Sequence, residues 1–156
     1  RSLVGSGMGI RTENALRFSR LDETSFLSTI ASYPFELEAH RWPSAEHYYQ
    51  AHKFEGMSYV DQILTAQTGQ KAYELGTRRF KRKVKGWKDK RRVWMTRALY
   101  RITAEYPLVK QALLETGDTL LVETSLYNHY WGVGRDQRGE NMLGKVWMDI
   151  RKKIQA

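Results

Sequence analysis

The sequence predicts a mainly helical α+β fold in one compact domain. Three observations carry this. Apolar residues recur at helical spacing in several segments, most clearly from Trp87 to Glu105. The stretches that read as strands are few and short. No linker, low-complexity tract or internal repeat divides the 156 residues, a length that suits one domain with a real core. Arg1 to Gly7 read as residues left over from expression ahead of a native start at Met8, so the domain is placed at residues 8–156.

Taken in order, Ala15 to Ser19 reads as a strand. Tyr33 to Leu37 and His40 to Trp42 read as a hairpin around Glu38-Ala39. A helix follows from Pro43, which is tolerated in a first turn where its missing N–H has no partner to lose. Ser44 and Glu46 place polar and acidic groups near the positive end of that helix. Tyr59 to Gln67 and Lys71 to Arg79 each suggest a helix, separated near Thr68-Gly69. In the Trp87–Glu105 helix, Arg91, Met95, Ala98, Leu99 and Ile102 share a face, and Pro107 lies beyond its end. A shorter helix starts near Pro107, carries Leu108, Ala112 and Leu113, and has Gly117 as a left-handed cap. Leu120 to Glu123 reads as a strand. Asn141 to Ile154 is a last amphipathic helix with Leu143, Trp147, Ile150 and Ile154 inward.

Composition narrows the function. Hydrophobic residues make up 41% and there are 3 prolines, which fits a folded chain rather than a disordered one. No cysteine is present, so disulfides, zinc–thiolate sites and cysteine nucleophiles are excluded together, and a reducing, cytoplasmic setting is expected. No apolar stretch approaches the roughly 20 residues of a membrane span, so no membrane partner is expected. The net charge of +9 attracts anions, whether nucleic acid, nucleotide or sugar phosphate. The excess is concentrated: Arg78, Arg79, Lys81, Arg82, Lys83, Lys85, Lys88, Lys90, Arg91 and Arg92 face a single acid, Asp89. A solvated basic face and a phosphate-attracting rim are equal readings of that run.

Two segments carry candidate chemistry. In Trp42 to Phe54, a helix turning about 100° per residue puts Glu46, Tyr49, Gln50 and Lys53 on one stripe. Glu46 and Lys53 stand about 10 Å apart along the axis, too far for a helix salt bridge but suited to bracketing a sugar-sized ligand. A carboxylate serves as general acid or base, and a partly desolvated lysine attacks carbonyl carbon. Spacing alone slightly favours the plainer alternative, a surface glutamate and a surface lysine. The second segment, Ser125 to Gly139, contains Gly132, Gly134 and Gly139, which permit tight backbone and close ligand approach. It matches neither a P-loop nor a dinucleotide fingerprint, and a plain glycine loop is an even alternative. Within it, Arg135 and Arg138 are candidates to pin a phosphate and Trp131 to stack on a base. His47 and His52 lie about 140° apart around a helix, so they do not share a metal, and no metal or cofactor is expected.

These segments resemble the NADAR/YbiA family. Trp42-Pro43-Ser44-Ala45-Glu46-His47-Tyr48-Tyr49-Gln50-Ala51-His52-Lys53-Phe54 is similar to its signature, and Gly86-Trp87-Lys88 to its tryptophan segment. Leu114 to Glu123 resembles "LLxTGDxxLVE", Tyr130 to Gly134 the "WGxG" loop, and Asn141 to Lys145 the "NxLGxLLMxxR" ending. The resemblance runs in order from about position 26 to 151. It implies a YbiA-like N-glycosidase that cleaves the C–N bond between ribose and a base without metal or cofactor. One branch acts on phosphorylated ribosylamino-pyrimidines of riboflavin biosynthesis, and another removes ADP-ribose from guanine in nucleic acid. A phosphorylated ribosylamine or an ADP-ribosyl group, with nucleic acid as a possible partner, is therefore the implied substrate. A weakly active or inactive member that binds nucleotides or nucleic acid is the alternative. The resemblance assigns Glu46 to catalysis and lets Lys53 react with the opened sugar. It also implicates Trp87 and the position of Asn128.

Asn128 stands where the family's "SPxDxxWG" segment has aspartate, and Leu126 where it has proline. Thr29 stands where "FxSN" has asparagine, and Gly76-Thr77-Arg78 replaces an adjacent Gly-Arg. An amide does not exchange a proton as a carboxylic acid does, though it still hydrogen-bonds ribose hydroxyls. Ser28, Thr29, Tyr49, Gln50, Arg78, Arg79, Trp131, Gly132, Gly134, Arg135, Asp136 and Asn141 are the expected substrate contacts.

Overall fold

A computed structural model describes residues 14–156; the expectation for Arg1 to Gly7 lies outside them. Strand β1 (Ala15–Phe18) pairs in parallel with β4 (Leu120–Glu123), Ala15 opposite Leu120. Strands β2 (Phe35–Leu37) and β3 (His40–Trp42) form the antiparallel hairpin, Phe35 opposite Trp42. Its two turn residues, Glu38 and Ala39, have φ of 58° and 60°, the left-handed pair that suits a right-twisted two-residue hairpin.

The helices are α1 (Ala45–Lys53), α2 (Val60–Leu64), α3 (Gly69–Gly76), α4 (Trp87–Glu105), α5 (Pro107–Glu115) and α6 (Met142–Gln155). Three boundaries differ from expectation for local reasons. Ser44 is the cap of α1, its hydroxyl accepting from the His47 N–H, so Pro43 lies before the helix rather than in its first turn. Helix α2 stops at Leu64, and Thr65 turns back to donate to the Asp61 carbonyl. Thr68, read as a separator, instead caps α3 by accepting from the Lys71 N–H. Helix α3 therefore starts earlier and ends at Gly76, leaving Arg78 and Arg79 in the strap that leads to α4. Gly117 takes the expected left-handed φ of 59° after α5.

Helix α1 runs through the middle of the domain and packs on α2, α3 and α4. Of its residues only His52 is not buried, although the helix is largely polar. Such burial requires partners for the polar groups. His47 has two: its Nε2 donates to the Ala66 carbonyl at 2.9 Å, which leaves Nδ1 to accept from the Ser44 hydroxyl at 2.7 Å. Burial keeps the His47 imidazole below its usual pKa, against the Ala66 hydrogen bond and the Glu46 carboxylate, which favour the proton. The core around α1 includes Phe35, Tyr48, Phe54, Met95, Leu99, Leu143 and Trp147. No helix among the described residues is long and apolar enough to cross a membrane.

Candidate active site

The C-terminal half of α1 forms the floor of a cleft of about 460 Å³. Tyr49, Gln50 and Lys53 line it from α1, and Trp87, Lys88 and Arg91 from α4. Thr77, Lys83, Val84 and Gly86 line it from the α3–α4 strap, and Asn128 and Trp131 from the loop after β4. The strap is tied down where the Val84 N–H donates to the Lys53 carbonyl at 2.9 Å. Gly86, with φ of 73°, makes the turn that starts α4 and brings Trp87 to the cleft. The Trp87 ring lies 5.2 Å from Tyr49, and Trp131 meets Tyr49 edge-on at 5.5 Å. The Trp131 Nε1–H donates to the Tyr49 hydroxyl at 3.2 Å, locking both side chains. Burial of that phenol pushes its pKa above the usual tyrosine range.

Lys53 is 7% exposed. Its Nζ donates to the Gly76 carbonyl at 3.0 Å and lies 5.6 Å from the Tyr49 ring. Burial brings its pKa down to about 7, with Arg20, Lys83 and Arg91 adding to the fall and Glu46 opposing it. A large fraction of the amine is therefore unprotonated near neutral pH, the state in which nitrogen is a nucleophile.

The stripe reading put Glu46 and Lys53 at two ends of one ligand. The structure places Lys53 on the cleft surface and Glu46 behind it. Glu46 is wholly buried and does not line the cleft. One nitrogen of Arg20, Nη2, donates to both Glu46 oxygens at 2.8 Å. The Gln50 amide donates to Oε1 at 2.8 Å, and the Thr29 hydroxyl donates to Oε2. Glu46 thus sits behind Arg20 and Gln50, because a buried carboxylate needs donors and a counter-charge. Burial works against the Arg20 charge, but the Glu46 carboxylate more than offsets it and raises the Arg20 pKa. The Arg20 guanidinium also lies within 6.0 Å of the ring centres of Tyr49, Tyr73 and Trp131.

The other expected contacts divide. Thr29 supports Glu46. The Ser28 hydroxyl donates to the Arg20 carbonyl at 3.1 Å, so it holds Arg20 rather than facing the cleft. Asn128 Oδ1 accepts from the Tyr130 and Trp131 N–H groups at 2.9 and 2.7 Å, turning the loop that delivers Trp131. Arg78 lines a separate surface hollow between α2 and α3, and Arg79 stacks beside the exposed Phe80 at 5.8 Å. The cationic wall of the cleft is made instead by Lys83, Lys88 and Arg91. Arg135 donates to the Tyr127 hydroxyl at 2.8 Å, and Asp136 pairs with His129 at 2.9 Å, both on the outer loop. The close approaches at Gly132 and Gly134 are to Glu123 and His129, so these glycines serve loop packing. The Asn141 side chain bonds the backbone of Leu121 and Glu123, fixing α6 to β4. Among the described residues no three His, Asp or Glu side chains converge as metal ligands.

Arg20 is the site residue that sequence reasoning missed. It lies beyond the end of a strand, and no motif or helical period connects it to Glu46. The one available signal was indirect: a glutamate on a core helix requires a cation from elsewhere.

The fold and cleft define an α+β domain with a cationic, indole-walled site built around a buried lysine. The chain belongs to the NADAR domain family, which it matches over residues 10–155. It is 30% identical over 137 residues to N-glycosidase YbiA of Escherichia coli, covering 88% of this chain and 86% of that protein. N-glycosidase Npun_R5314 of Nostoc punctiforme is 32% identical over 130 residues, covering 81% and 83%. A riboflavin biosynthesis protein of Vibrio vulnificus is 34% identical over 146 residues, 92% of this chain but 39% of that longer protein. The NMR structure of E. coli YbiA superposes with a TM-score of 0.80 at 28% identity, covering 94% of this chain and 88% of YbiA.

Proposed function

We propose that this protein is an N-glycosidase that cleaves the C–N bond between ribose and a nitrogenous base, with Lys53 as its nucleophile. The observation that carries the reading is the Lys53 amine, buried in a cationic cleft with a pKa of about 7. Relatives named N-glycosidase support the reaction class. Lys83, Lys88 and Arg91 receive the phosphate of the ribosyl group, and Trp87 and Trp131 enclose the sugar. The unprotonated Lys53 Nζ attacks C1. The C1–nitrogen bond breaks, and the base nitrogen takes one of the two protons of the resulting Nζ ammonium. As the ring opens, the remaining Nζ proton passes to the ring oxygen, giving a C1–Nζ imine that water hydrolyses to free sugar and regenerated lysine. Glu46 acts from behind, holding Arg20 and Gln50 and moderating the charge on Lys53.

Two substrates fit this reading: a phosphorylated ribosylamino-pyrimidine, the kind of compound the riboflavin-named relative suggests, and an ADP-ribosyl group on guanine in nucleic acid. The strap favours keeping the second in view, because Phe80 stands 98% exposed among Arg78, Arg79, Lys81 and Arg82, an arrangement suited to stacking on a base. Binding without chemistry is the rival reading. Both substrates are offered to wild type, Lys53→Ala and Glu46→Gln, and ribose 5-phosphate or ADP-ribose is followed by mass spectrometry. Wild type is expected to release sugar from one of them and Lys53→Ala from neither, with borohydride trapping a sugar adduct on Lys53. Release by Lys53→Ala at the wild-type rate removes the nucleophile assignment. Salt-sensitive binding with no product from wild type establishes the rival.

A further inference from the structure

The Lys53 cleft has a neighbour. A second groove of about 480 Å³ adjoins it, and Thr77 and Asn128 belong to the walls of both. The two chambers differ in chemistry. Among the described residues, the cleft carries Arg20, Lys53, Lys83, Lys88 and Arg91 and no acid on its surface. Among the described residues, no charged side chain lines the groove; Ser19, Tyr73, Ser125 and Tyr127 give it hydroxyls, and Leu21 and Leu126 give it apolar surface.

We propose that this groove is the leaving-group chamber: it receives the neutral nitrogenous base while the cationic cleft holds the phosphorylated sugar, and the C–N bond crosses the Thr77–Asn128 partition. The inference rests on the N-glycosidase reading and adds which half of the substrate goes where. Among the described residues no charged side chain lines the groove, and Arg135 reaches its edge only through the Tyr127 hydroxyl, so the groove suits a phosphate less than the cleft does. A flat, neutral, hydrogen-bonding base meets matching groups. Tyr127 is exposed, its oxygen accepts from Arg135, and its own O–H stays free to donate. Tyr73 joins the chambers, since its ring faces the Arg20 guanidinium at 5.3 Å while the residue also lines the groove.

Asn128 sets the preference at the partition. Its Oδ1 is committed to two loop N–H groups, so the side chain offers the partition its Nδ2 hydrogens. A donor there selects a base that presents a carbonyl or ring-nitrogen acceptor beside the bond to be cut. An aspartate in the same rotamer offers no donor when ionised. The departure from the family pattern at position 128 is thereby read as a specificity element.

The test has two arms on the full chain. In the first, calorimetry measures ribose 5-phosphate binding to wild type, Lys88→Ala and Tyr127→Ala, and then uracil, cytosine and guanine binding to protein saturated with ribose 5-phosphate. The expected result is a ternary complex with at least one base. Tyr127→Ala weakens base binding about tenfold and leaves ribose 5-phosphate unchanged, while Lys88→Ala does the reverse. Competition between base and ribose 5-phosphate, or no base binding at all, overturns the assignment. In the second arm, KM and kcat are measured for ribosyl substrates with different bases. Tyr127→Ala is expected to raise KM about tenfold, and Asn128→Asp to change the order of preference among bases. Equal effects of Asn128→Asp on every base overturn the specificity role. If wild type cleaves no ribosyl substrate, the N-glycosidase reading fails, and the ternary-complex arm still decides the two-chamber assignment by itself.

Discussion

Replacing Lys53 with methionine should make the protein more stable and inactive at once. The amine is buried, and its pKa of about 7 lies well below the 10.5 of an ordinary lysine. Between those two values the unfolded chain holds a proton that the folded chain has released. Stability therefore rises with pH across that window, at about 1.4 kcal/mol per pH unit. At pH 7 the burden of burying Lys53 is near its full size, about 4 kcal/mol by the same relation. Methionine removes it. The substitution also removes the hydrogen bond to the Gly76 carbonyl, worth about 1 kcal/mol. The net expectation is a gain of about 3 kcal/mol at pH 7, a rise in Tm of roughly 6–12 °C for a chain of this size. The gain should shrink steadily with pH and vanish near pH 10, where the unfolded lysine also loses its proton. Urea denaturation of both proteins at pH 6.5, 7.5, 8.5 and 9.5 reads the difference. A difference that does not change with pH, or a loss of stability at every pH, refutes the claim that Lys53 carries a suppressed charge. Stability given up at a reactive group is a common trade in enzymes.

Arg20→Met leaves the Glu46 carboxylate buried without its cation and should cost about 3–5 kcal/mol in urea denaturation; Arg20→Met combined with Glu46→Gln should recover most of it. At Gly76, an added Cβ would lie 2.1 Å from the Gln50 Oε1, so Gly76→Ala should push Gln50 off Glu46, cost about 1–3 kcal/mol and slow sugar release. Asn128→Ala removes the acceptor for two loop N–H groups and should cost about 1–2 kcal/mol and raise the mobility of Trp131 in fluorescence anisotropy, whereas Asn128→Asp keeps the turn. The pH profile of kcat/KM should fall below about pH 7 as Lys53 gains its proton, and the corresponding limb of kcat should lie at higher pH. A flat acid limb counts against Lys53 as the attacking group.

The fold was legible wherever a signal is local. The Trp87–Glu105 helix has apolar period, a glycine before it and a proline after it, and all three act within a few residues. The hairpin at Glu38-Ala39 and the cap at Gly117 are likewise short-range. Helix α3 was displaced because Thr68 resembles a loop residue until its hydroxyl is seen to cap Lys71. Of the residues that line the cleft, Lys53, Tyr49, Gln50 and Trp131 could be grouped from one helix face and one aromatic loop. The rest depends on contacts between distant parts of the chain. Arg20 reaches Glu46 across 26 positions, and nothing in either segment encodes the meeting. The basic run announced cations but not which ones turn inward; the bond from Val84 to the Lys53 carbonyl selects Lys83 and leaves Arg78 and Arg79 outside.

That selection adds to the burial that lowers the Lys53 pKa, and it gives a ligand a way to change it. Glu46 is engaged by Arg20, and each acts on Lys53 in the opposite sense: the carboxylate favours the proton and the guanidinium disfavours it. Burial does most to lower the pKa of the amine; the Glu46 carboxylate opposes the fall, and Arg20, Lys83 and Arg91 each add to it. An anionic ligand changes the balance. A phosphate docked against Lys83 and Arg91 cancels the charges that repel a proton from Nζ, so the pKa of Lys53 must rise when substrate or product is bound. In the proposed reaction, the unliganded protein would thus keep much of the amine ready to attack, and a bound sugar phosphate would make its reprotonation easier. This is why the acid limb belongs at higher pH in kcat than in kcat/KM. Under that proposal the surrounding cations have two tasks, capture of the phosphate and suppression of the lysine charge. Lys83→Ala must then weaken ribose 5-phosphate binding and move the kcat/KM limb upward together, a coupling that a phosphate anchor without electrical contact to Lys53 does not produce.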